Sequence, residues 1–254
     1  MNLIIDIGNT RTKVGLFNQN EMVKSFPIDS FELADLLELK LDYPKINKAI
    51  VSSVKHNLTD LVKILKRELE FVIELDHTTP IPIENLYETP ETLGKDRIAA
   101  AVGGNHLYPN QNLLIIDAGT AITYDFVNQK NQYMGGFISP GLSMRFQALH
   151  HFTDKLPLLK PAEPEIMFGC NTIDAIQGGI QYGLEGELER IIQHFSASQN
   201  ELKIILSGGD TKYFEKLLKN YNFVSLEITL LGLNTILGFN YMQNSTNHVN
   251  NVGM

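Results

Sequence analysis

"NLIIDIGNTRTKVGLF", residues 2–17, sets the reading of the whole chain. An apolar run, Leu3 to Ile5, stops at Asp6 and turns through Gly8. It shows hydroxyls at Thr10 and Thr12 and cations at Arg11 and Lys13, then becomes apolar again. This is a strand, a tight turn and a second strand. The aspartate ends a buried strand, where it either closes the turn with its side chain or meets a positive partner.

The pattern returns once. "LLIIDAGTAITYDFVN" at 113–128 repeats the apolar pair, the aspartate, the glycine, the threonine and a strand ending in Phe and Asn. Duplication of a β-rich unit is one explanation; a chance likeness of two strand–turn–strand segments is the other. Pro109-Asn110-Gln111-Asn112 marks the boundary, so the expected lobes are 1–111 and 112–254, the tail beyond about 243 being frayed.

Around these hairpins the sequence alternates between strand and helix patterns. Strands are expected at 2–6, 10–17, 22–27, 49–54 and 70–75, with helices at 30–39, 58–68 and Asp96–Tyr108, and a loop at 76–93. The second half gives strands at 133–138, 203–207 and 223–228, and helices at 142–152, Thr172–Phe195, 211–218 and 232–242. A Pro-containing loop occupies 154–170. The longest helix carries one apolar stripe: Ile176, Ile180, Leu184, Leu188, Ile192 and Phe195. The expected fold class is α/β.

Composition narrows the function. With 254 residues, 43% hydrophobic, the chain needs neither disulfide nor metal as a staple. Cys170 is the single cysteine, which fits a reducing compartment. Asp6 interrupts the first apolar segment and no run approaches the ~18 residues of a membrane helix, so a cytoplasmic protein with no membrane partner is expected. The net charge of −8 argues against nucleic acid as a partner, and the basic stretch 63–67 reads as a solvated helix face.

A hairpin turn that directs backbone N–H groups inward can cradle a phosphate. Thr10, Thr12 and Thr120 add hydroxyls and Lys13 a mobile cation. Asp6 and Asp117 beside phosphate are repulsive until a divalent cation such as Mg²⁺ bridges them. Other nucleotide and hydrolase signatures are missing. Gly94-Lys95 is followed by Asp96 rather than Ser or Thr, no strand leads into Gly-x-Gly-x-x-Gly, and there is no Gly-x-Ser-x-Gly. The seven histidines have no zinc spacing.

Paired Asp-Gly-Thr hairpins resemble the acetate and sugar kinase, heat-shock chaperone and actin superfamily, which implies two RNase H-like (actin-like ATPase) lobes with a nucleotide cleft between them. Four segments narrow this: "DIGNTRTK" at 6–13, "LGKDR" at 93–97, "DAGTAIT" at 117–123 and "GGFISPG" at 135–141. In this order they resemble type III pantothenate kinase, as do "CNTIDAIQGGI" at 170–180 and "SGGD" at 207–210, where the family more often opens with Thr.

The resemblance implies transfer of the γ-phosphoryl group of ATP to the primary hydroxyl of pantothenate, the first step of coenzyme A biosynthesis. It places ATP on Asp6, Ile7, Gly8, Asn9, Thr10, Arg11, Thr12, Lys13 and Thr120, with Asp6 organising Mg²⁺ or another divalent cation and Asp117 binding K⁺ or NH₄⁺. Asp96 becomes the general base, since an alcohol needs a proton acceptor as its bond to phosphorus forms. Tyr87, Gly94, Lys95, Asp96, Arg97 and Thr172 become the pantothenate site. Arg97 offers a planar fork either to the pantothenate carboxylate or to the moving phosphoryl group. Read without the family, Asp96 and Thr172 are equally helix-start residues and Tyr87 a half-buried loop aromatic.

Gly208 and Gly209 either let backbone approach adenine or make a strand-to-helix turn. Gly178, Gly179, Gly183 and Gly186 weaken a helix by up to ~1 kcal/mol each relative to alanine, which suggests close packing. The resemblance implies a homodimer there; core packing within one chain is the alternative. Two other functions stay open: an actin- or chaperone-like ATPase switch, and an accessory regulator of transcription related to the kinases.

Overall fold

The computed structural model describes every residue except 10, 55–57, 162–167, 199–200, 218–222, 226 and 253–254. The first sheet contains β1 (Asn2–Ile7), β2 (Thr12–Asn18), β3 (Glu21–Ile28), β4 (Lys48–Ser53) and β5 (Phe71–Glu74), ordered β3-β2-β1-β4-β5. β1 runs antiparallel to β2 and parallel to β4. A central strand covered on both faces reads as an unbroken apolar run, and Leu3, Ile4 and Ile5 are indeed fully buried. Asp6 lies across from Lys13 in β2 and from Ser52 in β4.

The second sheet contains β6 (Glu84–Asn85), β7 (Asn112–Ala118), β8 (Ala121–Asn128), β9 (Gln132–Pro140), β10 (Leu202–Ser207) and β11 (Phe223–Ser225), ordered β11-β10-β7-β8-β9-β6. Apart from β6, the two orders are the same. Each begins with a hairpin, places its third strand on one side and two crossover strands on the other. The repeat in the sequence is a repeat of topology.

The helices are α1 (Leu33–Asp42), α2 (Thr59–Glu68), α3 (Lys95–Leu107), α4 (Leu142–His151), α5 (Thr172–Ser198), α6 (Thr211–Leu217) and α7 (Ile228–Val252). Two compact units result. The first comprises 1–110, 127–135 and 227–254; the second comprises 111–126 and 136–226. A single cut at 111 assigns α7 to the second lobe, whereas the helix packs in the first unit. Ile228, Leu230, Leu233, Ile236 and Leu237 are buried there, and Gly232 rests on the backbone of Ala99 in α3. Asn234 ties α7 to the sheet, accepting from Asn2 Nδ2 at 2.7 Å and donating to the Gln19 carbonyl at 2.9 Å. Such a return of the chain leaves no mark in local sequence.

Three elements differ from their sequence reading. α1 starts at Leu33, not 30, because the Glu32 amide donates to the Asp35 carboxylate at 2.7 Å and so sets the first turn. The 76–93 loop contains β6, which exists only by pairing with β9, and a 3₁₀ turn at Pro90–Thr92. α7 runs from Ile228 to Val252, through the segment expected to fray. There Ser245 and Thr246 donate their hydroxyls to the carbonyls of Tyr241 and Met242, four residues back, a bond that keeps these polar residues compatible with a helix.

The apolar stripe of α5 packs as its spacing predicts, with Ile176, Ile180, Leu184, Leu188 and Ile192 in the core of the second unit. The α3–α7 contact is closer than side chains allow. A Cβ on Gly232 would overlap the Ala99 carbonyl oxygen, and one on Gly103 would overlap that of Ile228. Gly232→Ala is therefore expected to destabilise by about 1–3 kcal/mol or more. Gly238→Ala, on the same helix with nothing within 4 Å of the new carbon, should be neutral or stabilising by up to about 1 kcal/mol. Thermal unfolding of the two variants against the parent measures the contrast.

Candidate active site

In the first unit the β1–β2 turn is closed by the Gly8 amide, which donates to the Arg11 carbonyl at 3.1 Å. That N–H is used inside the turn, as is the Gly119 amide of the second hairpin, which donates to Ala121 O at 3.1 Å. These two glycine amides are thus engaged within their own turns. Asn9 and Arg11 are exposed, Ile7 half-buried and Thr10 outside the described residues. Thr12 is buried at 2% exposure, so its hydroxyl faces the interior of the unit. Lys13 reaches the surface.

Asp6 is the most perturbed carboxylate near this turn. Burial raises its pKa from 3.8 to about 6, and the Asp96 carboxylate adds like-charge repulsion, with a smaller push from Glu227. The Ser52 side chain, buried beside it, and the Lys13 ammonium oppose the rise. A carboxylate in this state gains from any cation placed beside it.

α3 delivers Asp96. Gly94 is its N-cap, and a Cβ there would meet Asp96 Oδ1 at 2.6 Å, so glycine makes the room in which the carboxylate sits. One oxygen of Asp96 accepts the Arg97 amide at 2.9 Å, the first-turn role that its position predicts. Lys95 is half-buried. Arg97 is buried at 5% exposure, and its guanidinium lies 5.7 Å from the centroid of the Tyr87 ring. The Tyr87 ring fits because Gly135, at φ +96°, has no side chain to meet it; a Cβ would come within 3.2 Å of the ring. Tyr87, Asp96 and Arg97, read from one short segment, are thus gathered in the first unit with Asp6 and Lys13.

Asp117, Thr120 and Thr172 belong to the second unit. Asp117 is the penultimate residue of β7, beside Ser207 of β10. Gly208, at φ +101°, has its missing Cβ 2.5 Å from Asp117 Oδ1, and the Asp210 amide donates to Ala118 O at 3.0 Å. "SGGD" thus folds over the aspartate of the hairpin. Thr120 is exposed, and its carbonyl accepts the Gly141 amide at 3.0 Å. Thr172 is exposed at the first position of α5, but the cap is Asn171, whose side chain accepts the Asp174 amide at 3.0 Å. Thr172 also borders an apolar groove of about 790 Å³ between α4 and α5, lined by Leu149, Phe152, Ile176 and Ile180.

Three further residues surround these groups and were not singled out from the sequence. Glu227 and Ser52 act on Asp6, and Glu187 of α5 braces the second hairpin from behind. Glu187 accepts Tyr124 Oη at 2.8 Å, Ser139 Oγ at 3.0 Å and Arg145 Nη2 at 2.6 Å, while Arg145 Nε donates to Pro140 O at 2.9 Å. The only trace in the sequence was a charged residue one turn along a helix from an apolar stripe, which is also the signature of a solvated face. Among the described residues no three His, Cys, Asp or Glu side chains are grouped to hold a metal.

The family model for type III pantothenate kinase matches residues 2–194. A type III pantothenate kinase of Phocaeicola vulgatus is 43% identical over 241 residues, covering 94% of this chain and 99% of its own. One of Christiangramia forsetii is 42% identical over 246 residues, covering 96% and 100%. Among solved structures, a putative Baf family transcriptional activator from Campylobacter jejuni has a TM-score of 0.60 at 22% identity, covering 94% of this chain and 98% of its own. The activator of 2-hydroxyisocaproyl-CoA dehydratase from Clostridium difficile, solved with ADPNP, gives 0.56 at 15%, covering 97% of each chain. A putative N-acetylmannosamine kinase from Listeria monocytogenes gives 0.54 at 14%, covering 94% and 99%. At those identities the structures establish the α/β fold alone, and the sequence relatives establish the family: this chain belongs to the type III pantothenate kinases.

Proposed function

We propose that Asp6, Lys13 and Asp96 carry the chemistry of this pantothenate kinase. The observation that supports it is that Asp6, paired across the hairpin with Lys13, also feels the Asp96 carboxylate from a distant segment. Phosphoryl transfer needs positioning and charge stabilisation more than covalent chemistry. Lys13 holds phosphate oxygens of ATP, and Thr120 contributes a nucleotide hydrogen bond. Asp96 accepts the proton of the pantothenate primary hydroxyl as its oxygen bonds to the γ-phosphorus and the bond to the β-phosphate oxygen breaks, releasing ADP. Arg97, held over Tyr87, takes the anionic end of pantothenate or the moving phosphoryl group.

The buried charge of Asp6 fits a divalent cation such as Mg²⁺, which when bound neutralises charge on the phosphates. Asp117, with room left beside it by Gly208, is the ligand for K⁺ or NH₄⁺. At Gly179, Gly183 and Gly186 of α5 an added Cβ would meet nothing within 4 Å among the described residues, so packing against them does not account for these glycines. That supports a homodimer with α5 at the contact. A cytoplasmic location goes with the reading; among the described residues no helix is long and apolar enough to cross a membrane.

Phosphate transfer from ATP to pantothenate, followed with and without K⁺, tests the assignment. Asp96→Asn is expected to lower kcat by ~10²–10⁴-fold with folding retained. An unchanged rate removes Asp96 from the mechanism.

Asp6 gives a second test, on stability. Its raised pKa means that between about pH 4 and 6 the folded chain binds more protons than the unfolded one, so stability falls as pH rises through that window. Above it the cost is complete, at most about 3 kcal/mol. Without nucleotide or divalent cation, Asp6→Asn should be more stable than the parent at pH ~7.5, with the gap closing near pH ~4. Urea unfolding at both pH values measures it.

A further inference from the structure

We propose that Glu227 sets nucleotide affinity by holding the Lys13 ammonium in competition with a phosphate oxygen. The inference rests on the reading that Lys13 binds phosphate. Glu227 Oε2 stands 2.9 Å from Lys13 Nζ. Both side chains remain open to water, at 39% exposure for Lys13 and 46% for Glu227, so an incoming anion can replace the carboxylate.

The carboxylate sits just ahead of a helix. Glu227 immediately precedes α7, and its carbonyl accepts the Leu231 amide at 3.3 Å. Ile228 beside it is fully buried, and the glycine contact between α7 and α3 fixes the start of the helix. Lys13 is placed just as firmly, opposite Asp6 in the β1–β2 ladder.

Charge gives the contact its consequence. Asp96 from α3 and Glu227 from the start of α7 both repel the Asp6 carboxylate of β1, and Lys13 is a cation beside it that favours its charge. An exposed ion pair adds little to stability. Its effect on a polyanion is larger, because Glu227 both occupies the ammonium and repels the phosphates that would take its place. Repulsion grows with ligand charge, so Glu227 penalises free ATP more than ATP carrying a divalent cation. It makes the site selective for the cation-loaded nucleotide.

Calorimetric titration of ATP into the full chain, with Mg²⁺ and separately with chelator, tests this. Glu227→Gln is expected to bind ATP about 3- to 10-fold more tightly, with the larger gain under chelator and an unchanged unfolding midpoint. The gain should shrink in a Lys13→Ala background and in high salt. Unchanged or weaker binding by Glu227→Gln, with Lys13→Ala weakening the parent, overturns the role of Glu227 and leaves that of Lys13 standing. If Lys13→Ala binds ATP as the parent does, the phosphate role of Lys13 fails and this proposal with it.

Discussion

A carboxylate kept mostly out of water at the end of a central strand, with a second carboxylate beside it, is the arrangement around which the first unit is organised. Desolvation and like charge both act against ionised Asp6, and Lys13 across the hairpin offsets only part of the cost. A protein selected for stability alone would not retain this arrangement. On the reading proposed above, that unfavourable charge would be met by a cation arriving with the phosphates.

Asp96 and Glu227 act on Asp6 from two helices that cross almost backbone to backbone. Gly103 and Gly232 remove the side chains that would separate α3 from α7, and so fix where each helix begins. Asp96 lies in the first turn of one helix, and Glu227 immediately precedes the other. Core packing and site electrostatics are here one problem. The second unit solves a related problem with hydrogen bonds: Glu187 and Arg145 brace the turn at Ser139–Gly141, whose amide supports the Thr120 carbonyl.

The duplicated hairpin shows how far two copies of one strand–turn–strand unit diverge in use. Both sheets keep the same strand order, and each hairpin uses a glycine amide to close its own turn. What differs is the surroundings of the aspartate. Asp6 faces a lysine and two acidic side chains, whereas Asp117 is overlaid by the glycine turn of "SGGD". The same motif sits in different electrostatic surroundings because neighbouring strands and helices differ around each copy.

Whatever repeats with a local period could be read from the chain before any fold was known. The buried β1, the two hairpins, the apolar stripe of α5 and the family segments around Asp6, Asp96 and Asp117 were legible because alternation, turn residues and motif spacing are properties of neighbours in the chain. Long-range packing alone set the return of α7 to the first unit, the existence of β6, the burial of Thr12 and the approach of Glu227 to Lys13. Each of these depends on segments far apart in sequence. Its energy depends on what the rest of the chain has brought alongside, and that leaves no periodic signature in either partner.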